Sequence, residues 1–252
     1  MLNHLLQYFV GIDLAWSSHN KLSGVAIISG NADSATLASC CGFMTVAEIA
    51  EYVSSQTGAN TVVAIDAPLN ITNESGQRGV ETQMGKRFGK YDASAHSVNS
   101  TLYPNASSLR LVKMLSEKAF EHSPNPPTDK LRKGRWIFEV CPHPAQIVLF
   151  QLPQILKYKR GRINSRKVGL YAYRGHFFQL LTTKIPTVQI TSALMAFLSE
   201  GLCTMKGTAL KFYEDKMDAL FCAYLAYYYW YWGGAKCEMI GEVDSGYIIN
   251  PR

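Results

Sequence analysis

The sequence predicts a mixed α/β fold, and three observations carry that reading. The stretch "YFVGIDLAW", residues 8–16, alternates as a strand does, with Tyr8, Val10, Ile12, Leu14 and Trp16 on one face and Phe9, Gly11, Asp13 and Ala15 on the other. "TVAEIAEYVSS" opens with Thr45 and places Glu48 three residues on, the start of a capped helix. "TVVAIDAP" is a short apolar run stopped at Pro68, as a strand would be.

The remaining elements follow in order. "SSHNK" is a polar turn, "SGVAIISG" a strand returning from it, and "ATLASCCGF" a third strand. After the helix and the strand ending at Asp66, residues 70–108 are polar and glycine-rich, with a short helix at "VETQMGKRF". "NASSLRLVKMLSEKAFEH" reads as a helix capped by Asn105, and "SPNPPTDKLRKG" as a loop. "RWIFEVC" is a further strand, and "PHPAQIVLFQL" a helix initiated by proline. Helices are predicted near 165–183, over "TSALMAFLSEG", and from about Lys211 to Trp232. "CEMIGEV" and "GYIINP" add strands or a tail. The order places an antiparallel hairpin beside a parallel pair.

At 252 residues, 47% apolar and 17% charged, the chain can bury a core as one large domain or two small ones. None of the six cysteines lies in a CxxC pair and most sit in apolar runs, which reads as thiols in a reducing, cytoplasmic setting. No signal-like segment opens the sequence, because His4, Gln7 and Asp13 break any apolar core there. "ALFCAYLAYYYWYW" falls short of the roughly 20 residues a spanning helix needs, so a buried helix and no membrane partner are expected. A homodimer is one option for assembly.

The charge pattern is local. Net charge is +6, from 25 basic and 19 acidic residues, and no acid occurs between Glu139 and Glu200. That gap holds Lys157, Lys159, Arg160, Arg162, Arg166, Lys167, Arg174 and Lys184, without which the chain is slightly negative. Such a surplus suits an anionic partner such as nucleic acid, with a solvated basic face as the alternative.

Burying Asp13 in a strand without a partner is costly. Asp13 and Asp66 both close predicted strands, at the edge where open α/β sheets bind ligands. Glu139 holds a similar place on the next strand. Asp218 heads a helix face continuing through Cys222, Leu225, Tyr229 and Trp232, and Asp215 shares its side. If these acids converge, each pair at ~4 Å costs about 4 kcal/mol at an effective dielectric near 20. Divalent cations would relieve that repulsion, and an all-oxygen donor set favours Mg²⁺ or Mn²⁺. Two such ions would suit phosphodiester hydrolysis, with Asp13, Asp66, Glu139 and Asp218 as catalytic carboxylates and Asp215 as a further ligand. For Asp13 alone, a turn carboxylate or an ion pair with Arg or Lys is the simpler reading.

"GIDLAW", "AIDAPL", "FEVCPHPA", "KYKRGR", "GLYAYR", "DKMDALFCAYLA" and "GYIINP" occur in an order that resembles domain-of-unknown-function family 429, whose members are expected to be ribonuclease H-like nucleases. The resemblance implies a single ribonuclease H-like domain over 1–252, with an inserted polar and helical segment at about 70–130. Its sheet would have three antiparallel strands and then parallel ones, with helices on both faces. It also implies acids on the first strand, the fourth strand and the closing helix, places that Asp13, Asp66 and Asp218 match. The pair Asp215 and Asp218 is similar to the DxxD of Holliday-junction resolvases of that superfamily. Glu139 departs from the pattern, since ribonuclease H carries its glutamate on the first helix, where this chain has Glu48 and Glu51.

Around the acids, Tyr158, Tyr171 and Tyr173 interleave with the basic residues, a composition suited to phosphate contacts and base stacking. Arg78, Lys86 and Arg87 would close over a phosphate or simply lie on the surface, and His143 would position water or cap the next helix. The expected function is a metal-dependent nuclease. A non-catalytic nucleic-acid-binding module of the same fold and an actin-like small ATPase or kinase are the alternatives.

Overall fold

A computed structural model describes residues 6–16, 21–125 and 133–252. The sheet is built outward from β1 (Gln7–Asp13). On one side β1 pairs antiparallel with β2 (Ser23–Gly30), which pairs antiparallel with β3 (Ala35–Phe43). On the other it pairs parallel with β4 (Asn60–Asp66), followed by β6 (Gly134–Glu139) and the two-residue β5 (Glu121–His122). The six strands lie in the order β3-β2-β1-β4-β6-β5, the ribonuclease H-like arrangement of antiparallel and then parallel strands.

Helices cover both faces. α1 (Val46–Gln56) begins with the expected capping box, Thr45 Oγ1 accepting from the Glu48 amide at 3.2 Å while Glu48 Oε2 accepts from the Thr45 amide at 2.9 Å. α1 and α3 (Ser107–Ser116) cover one face through Ile49, Val53, Leu111 and Leu115, against Val10, Ile12, Val63 and Ile65. The opposite face carries α7 (Gly207–Trp232), which lies across β1, β2 and β4. Outside α7 pack α4 (Pro142–Phe150), α5 (Ile163–Thr183) and α6 (Ser192–Leu198). The run at 219–232 is therefore a core helix, and among the described residues no helix is long and apolar enough to cross a membrane.

The helical insertion contributes α2 (Gly79–Phe88), whose Val80, Met84 and Phe88 share a small core with Ile240 and Ile248. Those two belong to a terminal hairpin, β7 (Cys237–Glu242) with β8 (Gly246–Pro251), so the C-terminal segments are strands. A bridge between Val140 and Ile249 joins that hairpin to the end of β6.

Two expectations at α3 are corrected. Its N-cap is Ala106, with no side-chain cap, rather than Asn105. It also stops at Ser116, because the chain reverses through Ala119 at φ 63° and places Phe120 against the same core as Leu111 and Leu115. The predicted turn at 17–21 and loop at 123–134 lie largely outside the described residues. All six cysteines are free thiols.

Candidate active site

Register decides which acids can meet. Asp13 of β1 is the direct partner of Asp66 of β4. Partners in a parallel ladder project to the same face, and by the period of two that face carries Phe9, Gly11, Val62 and Ala64. It is the face under α7. The helix approaches closely because β1 and β2 offer glycines there. A Cβ on Gly11 would stand 2.0 Å from the Ala219 carbonyl oxygen, and one on Gly24 would stand 2.3 Å from that of Asp215. The first turns of α7 thus bring Asp215 and Asp218, both buried, to the strand ends holding Asp13 and Asp66.

Asp218 is fixed from three sides. Its Oδ1 accepts from the Tyr158 hydroxyl at 2.8 Å and from the Tyr173 hydroxyl at 3.1 Å, and Gln146 Nε2 in turn donates to the Tyr158 oxygen at 3.1 Å. Lys159 Nζ stands 2.9 Å from Asp218 Oδ2 and forms an ion pair with that buried carboxylate. Burial raises both tyrosines well above their ordinary range, so both remain protonated donors.

The remaining acids carry the cost of crowding. Burial holds Asp13 well above the usual carboxylate range; Lys159 opposes it, while Asp218, Asp66 and Asp215 add to it. Burial likewise pushes Asp66 up to about 7 against the pull of Lys159. Asp215 rises by burial, held back by Lys211 and by a hydrogen bond with Asp13. Burial alone would discharge Lys159, but Asp218, Asp13 and Asp66 together hold its ammonium above the ordinary lysine range. Lys159 therefore acts on three carboxylates, and Lys211, paired with Asp215, acts on Asp13 and Asp66 as well.

Glu139 borders a cavity that it shares with Asp66, and its charge helps to raise Asp66, but its carboxylate is engaged elsewhere. It pairs in register with Ile65, one residue short of Asp66, which turns it to the opposite face of the sheet. Arg78 Nη2 donates to Glu139 Oε1 at 2.6 Å, and Arg78 Nη1 and the Leu69 amide donate to Oε2 at 3.0 and 2.8 Å. Arg78 also donates from Nε to Glu81 Oε1 at 2.8 Å and is itself buried. Arg78 and Glu139 thus form a clamp fastening the insertion to the sheet edge; both still border the cavity beside Asp66, with their polar atoms engaged in the clamp.

The basic segment divides as well. Lys157, Arg160 and Arg162 are exposed. Arg166 donates to Glu214 and to the Tyr158 carbonyl, Lys167 to the Cys203 carbonyl, and Arg174 to the Tyr213 hydroxyl, so these three tie α5 to its neighbours. Tyr158 and Tyr173 are fully buried and cannot stack on bases; Tyr171 is exposed. Arg87 pairs with Glu238 on the surface. His143 has a buried Nε2 with no partner, and burial, with Lys159 adding, lowers it to about 4, so it is neutral.

A cavity of about 240 Å³ is bordered by Asp13, Asp66, Glu139, His143 and Lys159, and by Arg78, His96 and Tyr103 of the insertion. Trp16 stands at its mouth, edge-on to Tyr103 with ring centres 5.6 Å apart. Neither aromatic pattern nor charge marked Trp16, His96 or Tyr103 in the sequence; Trp16 at the end of the strand carrying Asp13 was the available signal.

The donors suit a hard divalent cation in kind: carboxylates from β1, β4 and α7 that raise one another. In arrangement they are set around the ammonium instead. Among the described residues no group of three or more His, Cys, Asp or Glu is placed to hold a metal ion. Compared with known families, residues 11–243 match the family described as "Protein of unknown function (DUF429)". No curated protein and no solved structure matches the chain.

Proposed function

The chain belongs to the DUF429 family, and from its acid cluster we propose that it is a cytoplasmic nuclease, hydrolysing phosphodiesters with the help of Mg²⁺ or Mn²⁺. The observation that supports this reading most is the meeting of Asp13, Asp66 and Asp218 at the carboxyl edge of the sheet, where they raise one another. Asp13, Asp66 and Asp218 would hold the cation, with Asp215 beside them. When bound, it would supply Lewis-acid charge stabilisation and a more acidic water.

The chain's own residues do the rest. Tyr158 and Tyr173 keep Asp218 in one orientation, so its position does not depend on what occupies the cleft. Lys159 borders both cavities beside the cluster and supplies a positive charge that a substrate phosphate can meet. Exposed Lys157, Arg160 and Arg162 continue that charge outward along a nucleic-acid backbone. Trp16 and Tyr103 at the mouth offer aromatic surface to an unpaired base.

Incubation of the protein with labelled single-stranded and structured DNA and RNA, with Mn²⁺ or Mg²⁺, tests the proposal. Cutting by the wild type that disappears in Asp13→Asn and Asp66→Asn is the expected result. Equal cutting by both variants, or none by any, ends it. The lack of a ready metal-holding group among the described residues favours one second reading, a non-catalytic nucleic-acid-binding module. That reading requires salt-dependent binding indifferent to Mg²⁺ and to carboxylate removal.

A further inference from the structure

The acid cluster contains a cation of its own, and its tether is unequal along its length. The backbone from which Lys159 springs is pinned: Tyr158 is fully buried, its hydroxyl donates to Asp218, and Arg166 Nε donates to its carbonyl at 3.0 Å. The Lys159 side chain is freer. It is 29% exposed and borders a second cavity, of about 280 Å³, shared with Ser94, His96, Lys157 and Arg160. A lysine ammonium rides on a flexible four-carbon stem and can move between two such places without moving its backbone.

We infer that Lys159 is the resident counter-ion of the carboxylate site, and that its ammonium and a divalent cation exclude one another there. This rests on the reading that Asp13, Asp66 and Asp218 hold the cation. A divalent ion among those carboxylates would stand beside the ammonium, and a doubly charged ion repels it twice as strongly as a singly charged one would. The carboxylates attract both, but Asp218 Oδ2 now faces Lys159 and cannot serve the two equally. With a divalent ion held by those carboxylates, the ammonium would turn outward toward the second cavity, which Ser94 and His96 also border. There it meets the phosphate of a substrate. The lysine thus keeps the empty cluster neutral enough to fold and becomes a substrate contact only once the site is loaded.

Mn²⁺ binding measured by calorimetry and by electron paramagnetic resonance, on the wild type, Lys159→Met and Lys159→Arg, tests the inference without any cleavage assay. Lys159→Met has no ammonium to displace and is expected to bind Mn²⁺ about tenfold tighter or more. Lys159→Arg keeps the charge and is expected to bind as the wild type does. Equal or weaker binding by Lys159→Met, or tight binding by Lys159→Arg, overturns the exchange. A second measurement needs no variant: amine labelling of Lys159, read by mass spectrometry, is expected to rise when Mn²⁺ is added, and unchanged labelling overturns the idea. Mn²⁺-dependent cutting by the wild type together with unaltered Mn²⁺ affinity in Lys159→Met removes this inference and leaves the nuclease reading standing. No Mn²⁺ uptake by any of the three proteins removes both.

Discussion

Two buried charge clusters lie at neighbouring strand ends of this molecule, and they are built on opposite plans. In the clamp, all four carboxylate oxygens of Glu81 and Glu139 accept from Arg78 or from the amides of Leu69, Arg78 and Val98. In the acid cluster, Asp13, Asp66 and Asp218 crowd one another around Lys159, with Lys211 acting on Asp13 and Asp66 from the side of Asp215. A saturated cluster has nothing left to offer a ligand and serves the fold. The acid cluster, whose carboxyls raise one another beside a cavity that the clamp also borders, is the candidate for the proposed chemistry.

Removing the guanidinium from the clamp should give the largest effect. Arg78→Met leaves two glutamates buried without their partner and is expected to lose about 3–5 kcal/mol of stability in urea denaturation. A loss under about 1 kcal/mol would show that the clamp contributes little.

The acid cluster should respond in the opposite sense. Unfolded Asp66 ionises near 4, whereas in the folded protein it keeps its proton until about 7, so stability declines as pH rises between those values. Asp66→Asn is therefore expected to raise stability at pH 8 by about 2 kcal/mol, after allowance for partial exposure, while abolishing any nuclease activity. A destabilised Asp66→Asn would place Asp66 with the clamp residues.

His143, beside the same cavity, provides a smaller contrast. Its folded value of about 4 lies below its unfolded one, so stability that it contributes above the unfolded value is lost as pH falls from about 6.5 towards 4. His143→Gln should flatten that acid limb by about 1–2 kcal/mol, as equilibrium unfolding at a series of pH values would register. The smallest stability effects belong to the exposed cations. Lys157→Ala and Arg162→Ala are expected to change stability by less than about 0.5 kcal/mol. If the face binds nucleic acid, each should also reduce the salt slope of binding by about 1.

How much of this was legible in the sequence depended on the range of the interaction. The capping box at Thr45 and Glu48, the strand alternation around Asp13 and the proline start of α4 are local and read directly. The convergence of Asp13, Asp66 and Asp218 followed from strand-end positions and from a helix face. Glu139 looked equivalent to Asp66 because each ends a strand, but the one-residue offset in register that separates them is set by pairing across the sheet. Lys159 was one of eight similar cations in an acid-free stretch. What distinguishes it is the anchoring of Tyr158 on Asp218, a contact spanning 60 residues that no local pattern announces.

The missing side chains of Gly11 and Gly24 have a last consequence. With helix backbone resting directly on strand backbone, the spacing between α7 and β1 is set by main-chain atoms, which do not repack as side chains can. The floor of the cleft is rigid for that reason. Whatever adjustment a guest molecule demands must come from the opposite wall, contributed by the insertion and by the lysine-bearing loop before α5.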